Sequence, residues 1–363
     1  MEDSAAPTLE SMAAPMSVEN AAKAGGRRRA RVIQLVFAVV LMVMTFAVFL
    51  PKIANYGSVW DAVQSMSTWQ VVLLAVVTIW NLATFGPNWM VALPGLRYWH
   101  SIEMNMAATA VANVMPAGSA VSFGISWTML REWGFERRAV AIALILNGIW
   151  NNLVNFGYPV LAVGLLALTG ETNTVMTRAS IVGAVLFALG VGVVVAITHS
   201  EKQARRFGNF WDRAASAVLR PVRRGPVQGS ALALARFRED SLELLRRRWL
   251  ALSAAIVVGT LSVFLVLVVS LRVTGVGSDD VTLIEAFTAW SLVRLLTALP
   301  ITPGGIGITE LVLVGTLTGF GGDEAEVVAA VLLYRALTLL PPVLIGAVVA
   351  FTWRRHERQV VPV

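Results

Sequence analysis

Long apolar runs, separated by short polar or basic connections, dominate the pattern of the chain. Six of these runs are uninterrupted and close to, or longer than, the ~20 residues with which a helix crosses a bilayer. They cover residues 32–50, 69–93, 139–168, 179–198, 250–271 and 327–353. Runs of this length predict an all-α polytopic membrane protein with about six full spans.

Two further apolar segments are broken near their middle by residues that stop a helix. Segment 101–131 is interrupted at Pro116, Ala117 and Gly118, and segment 283–320 is interrupted at Pro303–Gly305. A break inside the bilayer is tolerated where protein or a wet cavity satisfies the freed backbone groups. We therefore predict two re-entrant helical hairpins, each returning to the side from which it enters.

The distribution of basic residues supports this topology. Residues 200–249 carry twelve Lys/Arg against five acids, and arginines also flank the first and last spans. Basic connections stay on the cytoplasmic side. All three basic regions can be cytoplasmic only if each broken segment returns to the side of the membrane from which it enters. The first hairpin is then expected to enter from the cytoplasm and the second from outside.

A weak internal similarity matches this opposition. Shifting the chain by 187 residues lays Pro116 on Pro303 and Gly118 on Gly305, and it also aligns the pairs Gly134/Gly321 and Ala143/Ala330. The topology and this register together predict that the hairpins belong to an inverted repeat.

The predicted organisation has five parts. A disordered cytoplasmic tail, 1–31, precedes a first membrane half, 32–198, and a basic connection, 199–249, follows. This connection either lies along anionic lipids of the inner leaflet or forms a solvated linker with one helix. A second membrane half, 250–355, ends in a cytoplasmic tail, 356–363. We expect a multi-pass protein of a bacterial-type inner membrane with both termini in the cytoplasm.

Composition narrows the chemistry further. The chain is 56% hydrophobic and 14% charged, with no cysteine and three histidines far apart in sequence. No metal site, cofactor or thiolate nucleophile is therefore expected, and no nucleophile–base pair or nucleotide loop indicates an enzyme. The net charge of +7 lies mostly beside the spans, which favours the membrane over nucleic acid as its explanation.

The two breaks are the first candidate site. Where a half-helix starts at a break, its free N–H groups and positive dipole end can bind an anion, and two such ends could face one phosphate. At the second break Thr302 suits an N-cap, Pro303 suits the first helical position, and glycines allow close backbone approach. These glycines are Gly304, Gly305 and Gly307. A weaker version of the pattern occurs at Pro116, Gly118 and Ser119.

Ionisable residues at membrane depth are the second candidate set. Arg294 and Arg335 could bind a phosphate, and Glu310 could pair with an arginine or, like Glu285, take part in proton coupling. The structural alternative is an internal Arg–Glu pair that fixes helix packing.

A polar stripe is the third candidate. Asn147, Asn151 and Asn155 follow one another at intervals of four, so they share one helical face. Either they line the route of a polar headgroup or they hydrogen-bond neighbouring helices.

One segment carries a resemblance to a known family. Residues 299–310, L-P-I-T-P-G-G-I-G-I-T-E, with L-Y-R at 333–335, resemble the flippase-like transmembrane family of the lysylphosphatidylglycerol synthetase membrane region. The stretch 113–134 is similar to the first-half motif of that family, although Ala117, Ser119 and 122–123 depart from it. The resemblance covers 32–355, and we expect the membrane domain only, without the soluble aminoacyltransferase domain of some members.

The resemblance implies movement of lipids or lipid-linked glycans between leaflets. Carried over residue by residue, the glycine break of the family falls on Pro303, Gly304, Gly305 and Gly307, its acidic position on Glu310 and its downstream arginine on Arg335.

Three functions are compatible with these features. The leading hypothesis is translocation of an anionic phospholipid or a polyprenyl-phosphate-linked lipid, whose headgroup passes between the hairpins. The alternatives are a small-solute or ion transporter with inverted repeats, and a non-transporting membrane partner of a lipid- or glycan-modifying enzyme. Expected partners are the lipid substrate, anionic inner-leaflet lipids, and a second copy of the chain or a membrane enzyme.

Overall fold

The computed structural model describes residues 66–114, 118–168, 174–199, 202, 230–297 and 303–353. The first predicted span, both tails and most of the basic connection lie outside the described residues. Within the described part every regular element is a helix, which confirms the all-α prediction. The helices, numbered here from the first described one, are α1 Thr68–Ala83, α2 Pro87–Ala92, α3 Tyr98–Val114, α4 Gly118–Glu132, α5 Arg137–Leu168, α6 Thr174–His199, α7 Ser230–Val273, α8 Leu283–Thr297, α9 Ile308–Phe320 and α10 Glu324–Thr352.

Four stretches are long and apolar enough to cross a membrane. They are Thr68–Ala92, which contains α1 and α2, and Arg137–Leu168, Arg247–Val273 and Glu324–Val349. Each coincides with a predicted span. The predicted span 179–198 lies within α6, whose apolar core is Ile181–Val195.

Large apolar side chains cover the outside of these helices. Examples are Trp69, Ile79, Leu161, Leu189 and Leu344, each more than half exposed. A soluble protein rarely shows so much apolar surface, whereas a lipid-facing surface requires it. The exposed apolar side chains and the four long apolar helices together identify a polytopic membrane protein.

Both broken segments form helical hairpins. Helices α3 and α4 pack against each other, and so do α8 and α9. At the first hairpin the approach is very close: a Cβ on Gly118 would lie 2.6 Å from the carbonyl oxygens of Val111 and Ala112. The second contains a short 3₁₀ turn, Pro303–Gly305, between its helices. The side from which each hairpin enters the membrane stays a prediction.

Some helix boundaries fall at corresponding positions in the two halves of the chain. The shift of 187 residues carries Arg137, the first residue of α5, onto Glu324, the first residue of α10. It also carries Gly134 onto Gly321, and both adopt a positive φ, of 91° and 125°. A positive φ costs glycine little, so it ends each preceding helix cleanly.

Each hairpin packs against a helix of the other half of the chain. Helix α3 packs along α10, and helix α8 packs along α5, so each hairpin lies against the long helix of the other half. The hairpin tips also meet, because a Cβ on Gly304 would lie 3.2 Å from the carbonyl oxygen of Asn113. This reciprocal packing supports an internal repeat, and its inversion across the membrane stays a prediction.

Candidate functional site

A cavity of about 1110 Å³ lies where the two hairpin tips meet. Both hairpins and the helices α2, α5, α7 and α10 contribute to its wall. Positions related by the shift of 187 line it together, namely Gly118 with Gly305 and Asn151 with Thr338. The cavity therefore lies between residues of both halves of the described chain, and its volume exceeds that of a pocket for a typical small ligand.

Polar side chains form about half of the cavity wall. Six asparagines line it: Asn88, Asn105, Asn113, Asn151, Asn152 and Asn155. Hydroxyls add to them, from Thr84, Thr109, Ser119, Thr260, Thr297, Thr309, Thr338 and Tyr334. Polar groups inside a bilayer are costly unless water or a polar ligand satisfies them, so this concentration is typical of a functional site.

Two arginines, Arg294 and Arg335, are the charged residues among the described residues that line the cavity, and no acid is among them. Their environments differ. Arg335 has a carboxylate partner, whereas Arg294 has none within 4 Å in the described part of the chain.

Arg294 is held by an amide and an aromatic ring. Its Nε donates to Asn155 Oδ1 at 3.1 Å, and its guanidinium carbon lies 5.6 Å from the centre of the Trp290 ring. Asn155 in turn donates from Nδ2 to Asn151 Oδ1 at 2.7 Å. These contacts fix the side chain without neutralising it, so its positive charge is available to an anion in the cavity.

Arg335 and Glu310 form a buried ion pair that holds the second break. Arg335 Nε donates to Glu310 Oε1 at 2.5 Å, and Arg335 Nη2 donates to the carbonyl oxygen of Gly304 at 2.9 Å. Glu310 Oε2 accepts from the backbone N–H of Gly307 at 2.6 Å. The pair therefore joins α9, α10 and the glycine turn, as the internal-pair interpretation of the sequence expected.

The helix ends at the two breaks are not equivalent. Helix α4 begins at Gly118 in the cavity wall, followed there by Ser119. Helix α9 begins after Gly307, and the Glu310 carboxylate already accepts a hydrogen bond at this end. The sequence predicted that two helix N-termini face one anion. Only the N-terminus of α4 remains available for an anion, because the Glu310 carboxylate occupies the N-terminus of α9. Thr302 and Pro116, also named from the sequence, lie outside the described residues.

Five predicted residues within the described part do not line the cavity: Pro303, Gly307, Glu310, Asn147 and Glu285. Asn147 is buried, and its Oδ1 accepts a hydrogen bond from Asn88 Nδ2 at 3.1 Å, so it joins two helices. Asn151, on the same helical face, lines the cavity. Glu285 accepts from both the backbone N–H and the hydroxyl of Thr282, each at 2.7 Å, and so caps the start of α8. Proton coupling through Glu285 gains no support from this position.

Three of the wall asparagines were not identified as site residues from the sequence: Asn88, Asn105 and Asn113. Each is a polar side chain in an otherwise apolar segment, and that signal could have identified it. Their convergence with the Asn151 stripe depends on tertiary packing.

These observations define the class of the protein. It is a polytopic helical membrane protein with a cavity between two hairpin tips, and this cavity is lined by polar side chains and two arginines. The chain belongs to the family described as the lysylphosphatidylglycerol synthase TM region, which matches residues 31–346. The family resemblance drawn from the glycine-rich break is thereby confirmed. No curated protein matches the chain.

Proposed function

We propose that the protein moves an anionic lipid, a phospholipid or a polyprenyl-phosphate-linked lipid, between the leaflets, with its headgroup passing through the central cavity. The proposal rests on Arg294, which lies in a cavity wall rich in polar side chains and has no carboxylate partner among the described residues. A bacterial-type inner membrane with both termini in the cytoplasm is the expected setting.

The physical obstacle to such movement is the phosphate. Transferring an unpaired charge into hydrocarbon is prohibitive, so a path must replace the water that the headgroup loses. Arg294 offers charge-assisted hydrogen bonds, and the amide and hydroxyl wall offers neutral ones. The lipid tails need no such path, because the outer helical surfaces are apolar and exposed.

The test is transfer of phosphatidylglycerol, labelled on an acyl chain, in proteoliposomes. A membrane-impermeant reductant bleaches the label in the outer leaflet, so loss of the protected fraction reports transfer. Arg294→Gln should slow transfer by about 10- to 100-fold, since a hydrogen bond to a charged group contributes roughly 1.5–3 kcal/mol. Arg294→Lys should retain part of the rate because the charge remains.

The matched control is Arg97→Gln, which removes one positive charge from an exposed position outside the cavity wall. It should transfer lipid like the wild type. Equal rates for Arg294→Gln and wild type, with unchanged melting temperatures, would reject Arg294 as the headgroup site. Uptake of free phosphate without transfer of any lipid would instead favour a solute transporter.

A further inference from the structure

We infer that the four long apolar stretches bend at the level of the cavity, so that the protein moves as two bodies, each built around one hairpin. This inference rests on the proposed function and names the movement that would carry a headgroup past the cavity. The positions of the apolar cores, the cavity and the helix breaks determine where each stretch bends.

The described residues pack into two main apolar cores, and each core contains one hairpin. The first-hairpin core includes Met104 of α3 and Leu130 of α4. The second-hairpin core includes Trp290 of α8 and Leu313 of α9. Among the described residues, no buried side chain belongs to both cores. Each hairpin therefore has its own packing environment.

Each of the four long apolar stretches connects the two cores. Their residues in the first-hairpin core, or packed against it, include Ala92, Val140, Leu252 and Val349. Their residues in the second-hairpin core include Val77, Tyr158, Leu267 and Val327. Movement of one core relative to the other must therefore be absorbed within these stretches.

The cavity lies at the level where each stretch passes from one core to the other. Its wall includes one residue from each stretch that falls between the core residues of that stretch, namely Thr84, Asn151, Thr260 and Thr338. A segment with few buried apolar contacts opens at low cost. Bending at this level therefore disturbs less packing than bending within either core.

The stretch Thr68–Ala92 is interrupted at this level. Helix α1 stops after Ala83, and α2 begins at Pro87. The hydroxyl of Tyr98 donates to the carbonyl oxygen of Ala83 at 2.8 Å, so a side chain of α3 satisfies a group that the break frees. The backbone hydrogen bonds of a continuous helix therefore do not oppose bending here.

Helix α10 carries two consecutive prolines, Pro341 and Pro342, between its two core segments. Neither has the N–H group that would bind the carbonyl oxygen four residues earlier, on Leu337 and on Thr338. Because Thr338 lines the cavity, the missing hydrogen bonds lie at the cavity wall. Proline within a helix is a common cause of a kink.

The other two stretches carry milder forms of the same feature. Pro159 lies inside α5 and removes the hydrogen bond to the carbonyl oxygen of Asn155, a residue of the cavity wall. In α7 the hydroxyl of Thr260 donates to the carbonyl oxygen of Ile256 at 2.6 Å. Side-chain bonds of this kind often bend a helix. All four stretches thus have a bending point near the cavity.

The first test measures the movement with spin labels, which the absence of native cysteines allows. One label is placed at Glu132→Cys, at the end of α4, and the other at Ser278→Cys, in the exposed loop before α8. Double electron–electron resonance in phosphatidylglycerol-containing liposomes should give two distances for this pair. The control pair, Ser278→Cys with Leu311→Cys, lies on the second-hairpin body and should give one.

The second test restores the missing donors of α10 with Pro341→Ala and Pro342→Ala together. This variant should lose one of the two distances and transfer lipid about 5- to 100-fold more slowly, because bending then breaks two further hydrogen bonds. A Tm at least as high as that of the wild type would exclude unfolding as the cause. The control Pro94→Ala lies in an exposed turn and should change neither the distances nor the rate.

The outcomes separate the movement from the proposed function. A single narrow distance for the Glu132–Ser278 pair, in protein that transfers lipid, would overturn the two-body movement and leave lipid translocation standing. Two distances that the double alanine variant leaves unchanged would overturn the bending point in α10. Two distances in wild-type protein that transfers no lipid would support the movement and overturn the proposed function.

Discussion

Removing one partner of the Glu310–Arg335 pair tests what holds the second hairpin tip in place. Glu310 is 3% and Arg335 is 8% exposed, so both charges are buried. In Glu310→Gln the guanidinium loses its counter-charge while the shape of the side chain is kept. In Arg335→Met the carboxylate is left alone, and the carbonyl oxygen of Gly304 loses a donor.

The expected cost follows from burial. An uncompensated charge left by breaking a buried pair costs about 3–5 kcal/mol. At roughly 2 °C per kcal/mol for a large domain, either single substitution should lower the Tm by about 6 to 10 °C. The double substitution Glu310→Leu with Arg335→Leu leaves no unpaired charge, so it should cost less than the sum of the singles.

The assay is thermal unfolding of the purified protein in detergent, followed by the fluorescence of its 12 tryptophans. Glu132→Gln is the matched control, because it removes an exposed acid at the end of α4. It should melt like the wild type. If Glu310→Gln also melted like the wild type, or if the double substitution cost the full sum, the pair would not hold the glycine turn.

Two glycine contacts give further predictions. Gly305 has φ of +65°, and an added Cβ would lie 2.8 Å from Thr297 Cγ2, so Gly305→Ala should lower stability by more than about 1 kcal/mol, measured as a lower Tm. Gly315→Ala, on the same hairpin with open space around it, should be neutral or stabilising, and equal losses for both would contradict this reasoning. At Gly346 an added Cβ would clash with the Met106 carbonyl oxygen, so Gly346→Val should separate α10 from α3 and reduce both Tm and lipid transfer. A Gly346→Val protein that melts and transfers normally would show that this contact does not define the cavity.

Features carried by a few neighbouring residues could be predicted from the sequence. The helix breaks are marked by proline and glycine, the long spans by uninterrupted apolar runs, and Arg294 and Arg335 by charge in an apolar context. Each of these signals lies within one turn or one helix. The capping role of Glu285 was also readable, since Thr282 precedes it by three residues as in a capping box.

Features that need two distant segments could not be predicted. Arg335 is paired with Glu310 because α9 packs against α10, and this distinguishes it from Arg294, which finds only an amide and a ring. The sequence marked both arginines by their charge in apolar segments, and the family resemblance singled out Arg335, but neither signal identified which arginine is paired. The meeting of Asn113 with Gly304 likewise depends on how the hairpins cross.

The charge of the central cavity is measured most directly by the reactivity of a single cysteine placed in its wall. The chain contains no cysteine, so Asn152→Cys provides one thiol in the cavity and Glu132→Cys provides one on the surface. The measured quantity is the rate with a sulfonate-bearing thiosulfonate divided by the rate with its trimethylammonium analogue. This ratio should be several-fold higher at Asn152→Cys than at Glu132→Cys, and adding Arg294→Gln should remove the difference, because the guanidinium concentrates anions in the cavity. A ratio equal to that of the surface site, or one that Arg294→Gln leaves unchanged, would contradict an anion-binding cavity built around Arg294.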